Sequence, residues 1–209
     1  MNNFDSVAPF YDQLSTLIFG SALKQSQMAY LPAIKQGANV LILGGGTGWI
    51  LSALFAVNPT CKVWYIDSSE RMINLSKKVV RDSKHEVAFI LGTEDAIPCG
   101  ILFDAVITNF YLDLFSPASC NTVIDKIRSS LHGKSLWIVS DFINATWWHS
   151  AMLLIMYRFF KVMSGIQASS LCDWKKLLEQ KGFEERQSTE FFGGFIKSAV
   201  FSGALSKIK

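Results

Sequence analysis

Residues 40–48 read VLILGGGTG, and this stretch constrains the fold of the chain more than any other. Its four apolar residues, with β-branched members, favour a buried strand in a parallel sheet that is covered on both faces. Glycines permit a sharp turn and let backbone N–H groups come close to a ligand. Residues 48–57 then have the spacing of a helix with one buried face. Strand, glycine turn and helix form the entrance to nucleotide-type sites, although a tight turn that binds nothing is the alternative.

The hydrophobic pattern predicts strands that alternate with helices and then a different C-terminal part. The predicted strands are 39–43, 62–66, 87–91, 103–108 and 135–139, and the helices between them are 48–57, 69–81 and one that begins at Ser116–Pro117. Two further helices, 4–20 and 21–34, precede the first strand, and a long aromatic helix (147–163), a short helix (173–181) and a hairpin (183–191 with 195–202) follow the last. The alternation predicts an α/β fold with a doubly wound parallel sheet.

Composition excludes several classes of protein. The excess of Lys and Arg over Asp and Glu (20 against 17) is too small to indicate a nucleic-acid partner. The four cysteines are widely spaced, with no CxxC pair, so neither a metal site nor a disulfide framework is expected and a reducing cytoplasm is the simpler setting. The N-terminus lacks the pattern of a signal peptide. The longest apolar stretch, 151–160, is interrupted by Arg158 and is too short to span a bilayer.

The spacing of the glycines separates two kinds of ligand. A dinucleotide fingerprint places its third glycine where helix and strand pack closely, and counting from Gly44 that position is Trp49. The glycines here fall instead at Gly44, Gly46 and Gly48. The turn therefore argues against a nicotinamide dinucleotide.

Two polar segments follow neighbouring strands. Asp67 ends the second predicted strand, where a carboxylate can accept hydrogen bonds from both ribose hydroxyls of a nucleoside. The alternative role is a helix N-terminal acid that the helix dipole stabilises. Residues 92–95 (GTED) follow the third strand, where short polar side chains can bind an adenine edge or simply form a solvated loop.

The order of these residues resembles the class I S-adenosylmethionine-dependent methyltransferases. The resemblance is carried by LGGGTG (43–48), YID (65–67), GTEDAIP (92–98), FDAVITNFYL (103–112) and LHGKSLWIVSDF (131–142). The opening FDSVAPFYD (4–12) is similar to the VAxxYD opening of the ubiquinone/menaquinone C-methyltransferase group. The resemblance covers residues 4–142 best. It implies a Rossmann-like, seven-stranded mixed sheet whose last strand is antiparallel, which agrees with the hairpin predicted from the residues.

The resemblance also implies a cofactor and its binding residues. S-adenosyl-L-methionine would be held by Tyr11, Gly44, Gly45, Gly46, Gly48, Asp67, Ser68, Met72, Gly92, Thr93, Glu94, Asp95, Asn109 and Phe110. In this assignment the glycines line the methionine portion, Asp67 takes the ribose and residues 93–95 face adenine. Ser68 and Met72 flank the adenosine, and Tyr11 closes over the cofactor. The methionine portion and the acceptor would meet near residues 109–111.

One position departs from the family pattern. The family usually has an acid two residues before the first glycine, where it helps to hold the cofactor's ammonium group, and this chain has Ile42 there. We therefore expect either that the chain binds the cofactor more weakly or that another residue holds the cofactor's ammonium group. Ile42 beside the glycine run also resembles spermidine synthases. Those enzymes have an acid where Thr47 stands and an N-terminal β-domain, and this chain has neither.

The resemblance predicts one domain of 209 residues in three parts. Residues 1–37 form a helical lid, 38–142 the cofactor-binding core, and 143–209 the acceptor-side helices and the hairpin. Methyl transfer needs the acceptor held in line with the methyl group, and a general base only where the acceptor loses a proton. The candidate bases are Tyr11, Asp12, Asp113, Asp141 and His149. Asp113 is placed somewhat better than His149, which is better explained as a polar residue that begins an aromatic helix.

The predicted function is methyl transfer from S-adenosylmethionine to a small hydrophobic or aromatic acceptor, without a metal. The alternatives are a non-catalytic adenosyl-binding or assembly protein, and aminopropyl transfer of the spermidine-synthase type. Helix 147–163 is explained as core or homodimer contact, or as a lid over an apolar acceptor. No membrane insertion is expected. Nucleic acid is also excluded as a partner, because DNA amino-methyltransferases carry a proline pair after the fourth strand and residues 109–112 contain no proline.

Overall fold

The fold is taken from a computed structural model that describes residues 18–164 and 171–203. The strands are β1 (Asn39–Leu43), β2 (Lys62–Asp67), β3 (Glu86–Leu91), β4 (Phe103–Asn109), β5 (Leu131–Phe142), β6 (Phe183–Phe191) and β7 (Ile196–Gly203). They form one sheet in the order β3-β2-β1-β4-β5-β7-β6. Strands β1 to β5 run parallel, and β7 is antiparallel to both of its neighbours. The predicted mixed seven-stranded sheet is confirmed.

Helices cover the sheet and begin at the residues that the sequence indicates. They are α1 (Ala22–Met28), α2 (Trp49–Val57), α3 (Glu70–Val79), α4 (Pro117–Ser129), α5 (Trp147–Ser164) and α6 (Trp174–Gln180). The side chains of Ser69, Ser116 and Asp173 accept backbone N–H groups at the starts of α3, α4 and α6. Such caps satisfy amide groups that have no partner inside the helix.

Alternate strand residues point into two apolar layers. On one face, Val40 and Ile42 of β1 pack with the buried side of α2 and with Ile73 of α3. On the other face, Leu41 and Leu43 pack with α4 and α6. Because both faces are covered, the loops at the carboxyl edge are where this sheet can bind a ligand.

Two predicted elements differ in length from those observed. The predicted helix 21–34 is divided into α1 and a short 3-10 turn, Leu31–Ala33. Pro32 has no N–H to donate to the carbonyl oxygen of Met28, and its ring would clash with that carbonyl, so α1 cannot continue through it. The fifth strand runs from Leu131 to Phe142 rather than over 135–139. Pairing with β4 on one side and β7 on the other extends it in both directions.

The described part of the predicted lid packs on the sheet. Helix α1 contacts β5, β6 and β7, and the Ser140 hydroxyl donates a hydrogen bond of 2.9 Å to the carbonyl oxygen of Ser26. Tyr11 and Asp12, which the sequence assigns to the lid and the candidate bases, lie outside the described residues.

One pair of cysteines overturns the expectation of no disulfide. Cys120 on α4 and Cys172 just before α6 are joined as a disulfide, and both are buried. They are 52 residues apart in sequence, so only the packing of α4 beside α6 brings them together. Cys61 and Cys99 are free thiols. Throughout the two described ranges, no helix has the length and apolar character needed to cross a bilayer.

Candidate functional site

The glycine turn after β1 is held by tight packing on three sides. Gly44, Gly46 and Gly48 have φ angles of +64°, +65° and +87°, a region that side chains disfavour. A Cβ atom on Gly45 would lie 2.3 Å from the Tyr65 ring, and one on Gly48 would lie 2.5 Å from Ser76. A Cβ on Gly46 would meet no atom of the described residues within 4 Å. The turn therefore has one open side, at Gly46.

A single carboxylate ties this turn to the next loop. Asp67, 8% exposed, accepts the N–H of Gly46 on Oδ2 and the N–H of Ser69 on Oδ1, each at 2.9 Å. The Tyr65 hydroxyl donates to the carbonyl oxygen of Gly46 at 2.9 Å, and burial raises the pKa of Tyr65 so that it remains a donor. These two hydrogen bonds fix the orientation of the carboxylate beside the glycine turn.

The loop after β3 is connected to the segment after β4. The Gly92 N–H donates to the carbonyl oxygen of Asp67 at 2.9 Å, which places this loop beside the glycine turn. The Tyr111 hydroxyl donates to Oε2 of Glu94 at 2.8 Å, and its ring packs against Gly44. Burial and the Glu94 hydrogen bond raise the pKa of Tyr111. Lys126 pairs with Asp95 at the outer side of the loop.

The other predicted cofactor residues differ in their exposure to solvent. Ser68, Thr93 and Asp95 are exposed, and Met72 is buried at the start of α3. The Thr93 hydroxyl accepts the N–H of Asp95 at 3.4 Å and so shapes the loop. The structure brings Gly46, Asp67 and residues 92–95 to one edge.

The segment after β4 turns sharply at the same edge. Phe110 has a φ of +49°, rare for a residue with a side chain, and its N–H donates to the carbonyl oxygen of Ser140 at 2.7 Å. Oδ1 of Asn109 is buried and has no hydrogen-bond partner within the described chain. Buried polar atoms are nearly always paired, so this one requires an explanation.

Two carboxyl groups lie close together behind this turn, that of Asp113 in the 3-10 turn after β4 and that of Asp141 in β5. Oδ2 of Asp141, a fully buried residue, accepts the N–H of Asp113 at 3.2 Å. Oδ1 of Asp113 is buried and unpaired within the described residues. Burial raises the pKa of Asp113 to about 7 and, with the nearby charge of Asp113, raises that of Asp141. Two such carboxyl groups share protons as a coupled pair.

A cavity of about 560 Å³ opens at the end of β5. Its walls come from the segment after β5, from α5 and from the start of α6, and consist of Phe142, Ile143, Asn144, Ala145, Ser150, Leu153, Leu154, Leu171, Cys172, Asp173, Trp174 and Lys175. The Trp174 indole N–H donates to the carbonyl oxygen of Phe142 at 3.2 Å and fixes one wall. The volume is within the usual range for small-molecule sites.

His149 faces the hairpin. Its Nδ1 accepts the N–H of Ala145 at 3.1 Å, and its ring lies 5.3 Å from that of Phe195. Nε2 is buried and unpaired within the described residues. In the part of the chain described, no group of three His, Cys, Asp or Glu side chains is placed to hold a metal ion.

Sequence reasoning missed two residues that shape the site. Tyr65 packs under Gly45 and holds Gly46, and Tyr111 joins Gly44 to Glu94. The signal available was a tyrosine within an otherwise apolar strand and another directly after a strand end. Neither pattern states which partner the hydroxyl finds.

Comparisons with known proteins agree with this geometry. Residues 40–133 match the family model described as a methyltransferase domain. The chain is 24% identical to a carboxy-S-adenosyl-L-methionine synthase of Campylobacter hominis over 96% of this chain and 89% of that protein. It is 29% identical to a demethylmenaquinone methyltransferase of Lactococcus lactis over 46% of this chain and only 39% of that enzyme.

A solved structure has the same fold. It is the Burkholderia thailandensis 1,6-didemethyltoxoflavin-N1-methyltransferase with bound 1,6-didemethyltoxoflavin and S-adenosylhomocysteine. The TM-score is 0.71 at 14% identity, over 97% of this chain and 87% of that one. At this identity the likeness concerns the fold.

Proposed function

We propose that this chain is a class I S-adenosylmethionine-dependent methyltransferase and that it methylates a small, mainly apolar acceptor. The observation that carries the proposal is Asp67, a nearly buried carboxylate fixed at the end of β2 by Gly46 and Ser69. That carboxylate stands beside the one open side of the glycine turn. The pairing suits a nucleoside with two adjacent hydroxyl groups.

Each part of the carboxyl edge has a role in this proposal. When bound, S-adenosylmethionine supplies a methyl group already activated by its sulfonium. Gly44 to Gly48 give that cofactor close access to backbone N–H groups, and Asp67 accepts from the ribose. Ser68 and Met72 flank the adenosine, residues 92–95 face the adenine, and Asn109 and Phe110 face the methionine portion. Tyr11 contributes from the N-terminal segment.

The cavity at the end of β5 is the proposed acceptor site. Its apolar walls include Phe142, Leu153 and Trp174, and its polar lining residues are Asn144, Ser150, Asp173 and Lys175. Pockets of this composition bind small molecules with a large apolar surface.

Asp113 is the proposed proton acceptor for acceptors that must lose a proton. Its free Oδ1 and its pKa of about 7 match a base that works near neutral pH. Asp141 positions it by accepting its backbone N–H. Acceptors whose nucleophile carries no proton do not need this group.

Isothermal calorimetry tests the proposal. The protein is titrated with S-adenosylhomocysteine and, separately, with a nicotinamide dinucleotide, and we expect binding of the first alone. Binding of the dinucleotide without S-adenosylhomocysteine would contradict the proposal. Methyl transfer to any acceptor that is lost in Asp67→Ala with the fold intact would exclude the non-catalytic alternative. A titration with decarboxylated S-adenosylmethionine tests aminopropyl transfer.

A second candidate follows from the extent of one similarity. The match to a carboxy-S-adenosyl-L-methionine synthase runs over 96% of this chain, whereas the match to the demethylmenaquinone methyltransferase runs over 46%. Formation of a carboxylated sulfonium product is therefore the alternative reaction. Mass spectrometry of the cofactor pool after incubation with candidate carboxylate donors separates it from methyl transfer.

Partner and location complete the proposal. One side of α5 exposes Trp147 (83%), Leu154 (58%) and Ile155 (63%), and this apolar surface supports a homodimer. Sedimentation of wild type against Trp147→Glu tests it, and a monomer in both would contradict it. A cytoplasmic location agrees with the free thiols of Cys61 and Cys99, whereas the Cys120–Cys172 disulfide is of the kind that oxidising compartments favour. Thiol labelling of the protein in cells tests that location, because the cytoplasm keeps most cysteines reduced.

A further inference from the structure

One wall of the cavity at the end of β5 is a continuous segment of five residues. Residues 171–175 all line the cavity, and Cys172 is the second of them. The other lining residues belong to the segment after β5 and to α5. The shape of the proposed acceptor site therefore depends on where residues 171–175 are held.

The Cys120–Cys172 disulfide is a covalent tie between this wall and the core. It joins Cys172 to α4, which packs against the sheet with its buried face. A weaker tie joins the same wall to β5, since the Trp174 indole N–H donates to the carbonyl oxygen of Phe142 at 3.2 Å. Of these two ties, the disulfide is the one that a reversible chemical reaction can break.

The two cysteines differ in their surroundings. Both are buried, and Cys120 packs in the core with Val123 and Ile124. Cys172 lines the cavity, whereas Cys120 is outside its lining. A thiolate has to approach one sulfur of a disulfide directly to break the bond. A reductant that enters the cavity therefore reaches Cys172 first.

We propose that the Cys120–Cys172 disulfide is a redox switch for the acceptor cavity. A dithiol that enters the cavity reduces the bond, which releases the wall and weakens binding in the cavity without affecting the glycine turn. The proposal rests on the proposed function, because that function gives the cavity its acceptor. Disulfides in reducing compartments are usually transient and serve catalysis or redox sensing, so a switch agrees with the proposed location.

The reaction is a two-electron exchange between the dithiol and the protein. A thiolate of the dithiol attacks Cys172, the bond to Cys120 breaks, and Cys120 leaves as a thiolate that takes up a proton. The second thiol of the dithiol then attacks the mixed disulfide at the dithiol's own sulfur and releases Cys172 as a thiol. The dithiol ends as a disulfide, and the reverse exchange with such a disulfide reoxidises the protein.

Release of the wall changes the cavity because empty apolar space is unfavourable. Side chains around a cavity relax into it when nothing holds them back. The disulfide keeps Cys172 beside α4 and so keeps Leu171 at the edge of the cavity. Without this tie the wall moves into the volume of about 560 Å³, and an acceptor then has to displace it.

Calorimetry on the oxidised protein and on the folded protein reduced with dithiothreitol tests the switch. The probe of the cavity is 4-phenylphenol, a small and mainly apolar molecule, and the probe of the glycine turn is S-adenosylhomocysteine. Reduction should raise the dissociation constant for 4-phenylphenol at least about tenfold and leave that for S-adenosylhomocysteine within about twofold. Equal binding of 4-phenylphenol by the two forms would overturn the proposal.

Two double variants serve as controls. Cys120→Ser/Cys172→Ser should bind 4-phenylphenol as the reduced protein does. Cys61→Ser/Cys99→Ser keeps the disulfide and lacks the free thiols, so it should respond to dithiothreitol as the wild type does. The second variant decides if the first does not fold, and a lost response in it would assign the effect to the free thiols and overturn the proposal.

The rate of reduction tests the route through the cavity. Leu154 lines the cavity, and Leu154→Trp should slow reduction of the folded protein by dithiothreitol at least about fivefold. Leu102→Trp, at an exposed position outside the lining, should leave the rate unchanged. Equal rates in the two variants would contradict the switch.

The same titrations separate this proposal from the proposed function. Oxidised protein that binds S-adenosylhomocysteine but not 4-phenylphenol would remove the acceptor role of the cavity, and the switch with it. Oxidised protein that binds 4-phenylphenol in a redox-dependent way but does not bind S-adenosylhomocysteine would support the switch and refute the proposed function.

Discussion

The two halves of the carboxyl edge are built in different ways. Between β1 and β3, glycines and backbone N–H groups surround one carboxylate, Asp67. Between β4 and β6, side chains from distant segments meet: Asp113 with Asp141, Cys120 with Cys172. The shape of the first half is set largely by the backbone itself. The second depends on tertiary packing, which leaves its chemistry open to change.

The largest expected effect is in the first half. Asp67→Ala removes the acceptor for the ribose and releases the N–H groups of Gly46 and Ser69. Hydrogen bonds to a charged group contribute about 1.5–3 kcal/mol each, so we expect about a thousandfold weaker binding of S-adenosylhomocysteine. Calorimetry measures the dissociation constant for S-adenosylhomocysteine in the wild type and in the variant. Asp82→Ala, an exposed acid after α3, is the control, and a loss below about fivefold in Asp67→Ala would refute the role.

The disulfide tests whether the second half is independent of the first. Its closure of a 52-residue separation predicts that reduction lowers the free energy of unfolding by about 3 kcal/mol. Binding of S-adenosylhomocysteine to the reduced, folded protein should change by less than about twofold, because neither sulfur is at the glycine turn. Urea unfolding with and without dithiothreitol measures the change in the free energy of unfolding. The Cys120→Ser/Cys172→Ser variant should not respond to dithiothreitol, and a response would show that another bond is involved.

Two neighbouring glycines separate packing from ligand access. A Cβ on Gly45 would lie 2.3 Å from the Tyr65 ring, so Gly45→Ala should lower stability by about 2 kcal/mol. A Cβ on Gly46 meets no atom of the described residues within 4 Å, and only its positive φ costs about 1 kcal/mol. For each variant we compare the loss of S-adenosylhomocysteine binding with the loss of folding stability. We expect this ratio to be larger for Gly46→Ala than for Gly45→Ala. Urea unfolding measures the stability of both variants, and calorimetric titration measures their binding. A larger ratio of binding loss to stability loss in Gly45→Ala would indicate that the ligand binds away from Gly46.

The smallest effect concerns Asp113 and pH. Its folded pKa of about 7 is above the value of about 3.9 in an unfolded chain, so the folded state binds the proton more tightly. The resulting stability is complete below about pH 4 and is lost as the pH rises through about 7. We expect the free energy of unfolding to fall across this window, by an amount that Asp113 and Asp141 share because the two carboxyl groups titrate together. Asp113→Asn should reduce the slope, and an equal slope in both proteins would contradict the raised pKa.

The same contrast explains what the sequence could predict. The glycine turn directly follows β1, and Asp67 is the last residue of β2. Periodicity and spacing within each short segment are enough to predict these positions. The caps at Ser69, Ser116 and Asp173 are local as well. The sequence pattern predicted that no disulfide forms, and it gave no sign that Asp113 lies beside Asp141. Both contacts join residues 28 or more positions apart, so they depend on the fold. The hydroxyl partners of Tyr65 and Tyr111 depend on the fold in the same way.

A crystal structure of the protein with S-adenosylhomocysteine tests the central claim most directly. The account predicts the ligand at the glycine turn, with its ribose hydroxyls within hydrogen-bond distance of the Asp67 carboxylate and its adenine against residues 92–95. A ligand bound away from this turn, or a ribose held by a residue other than Asp67, would contradict it.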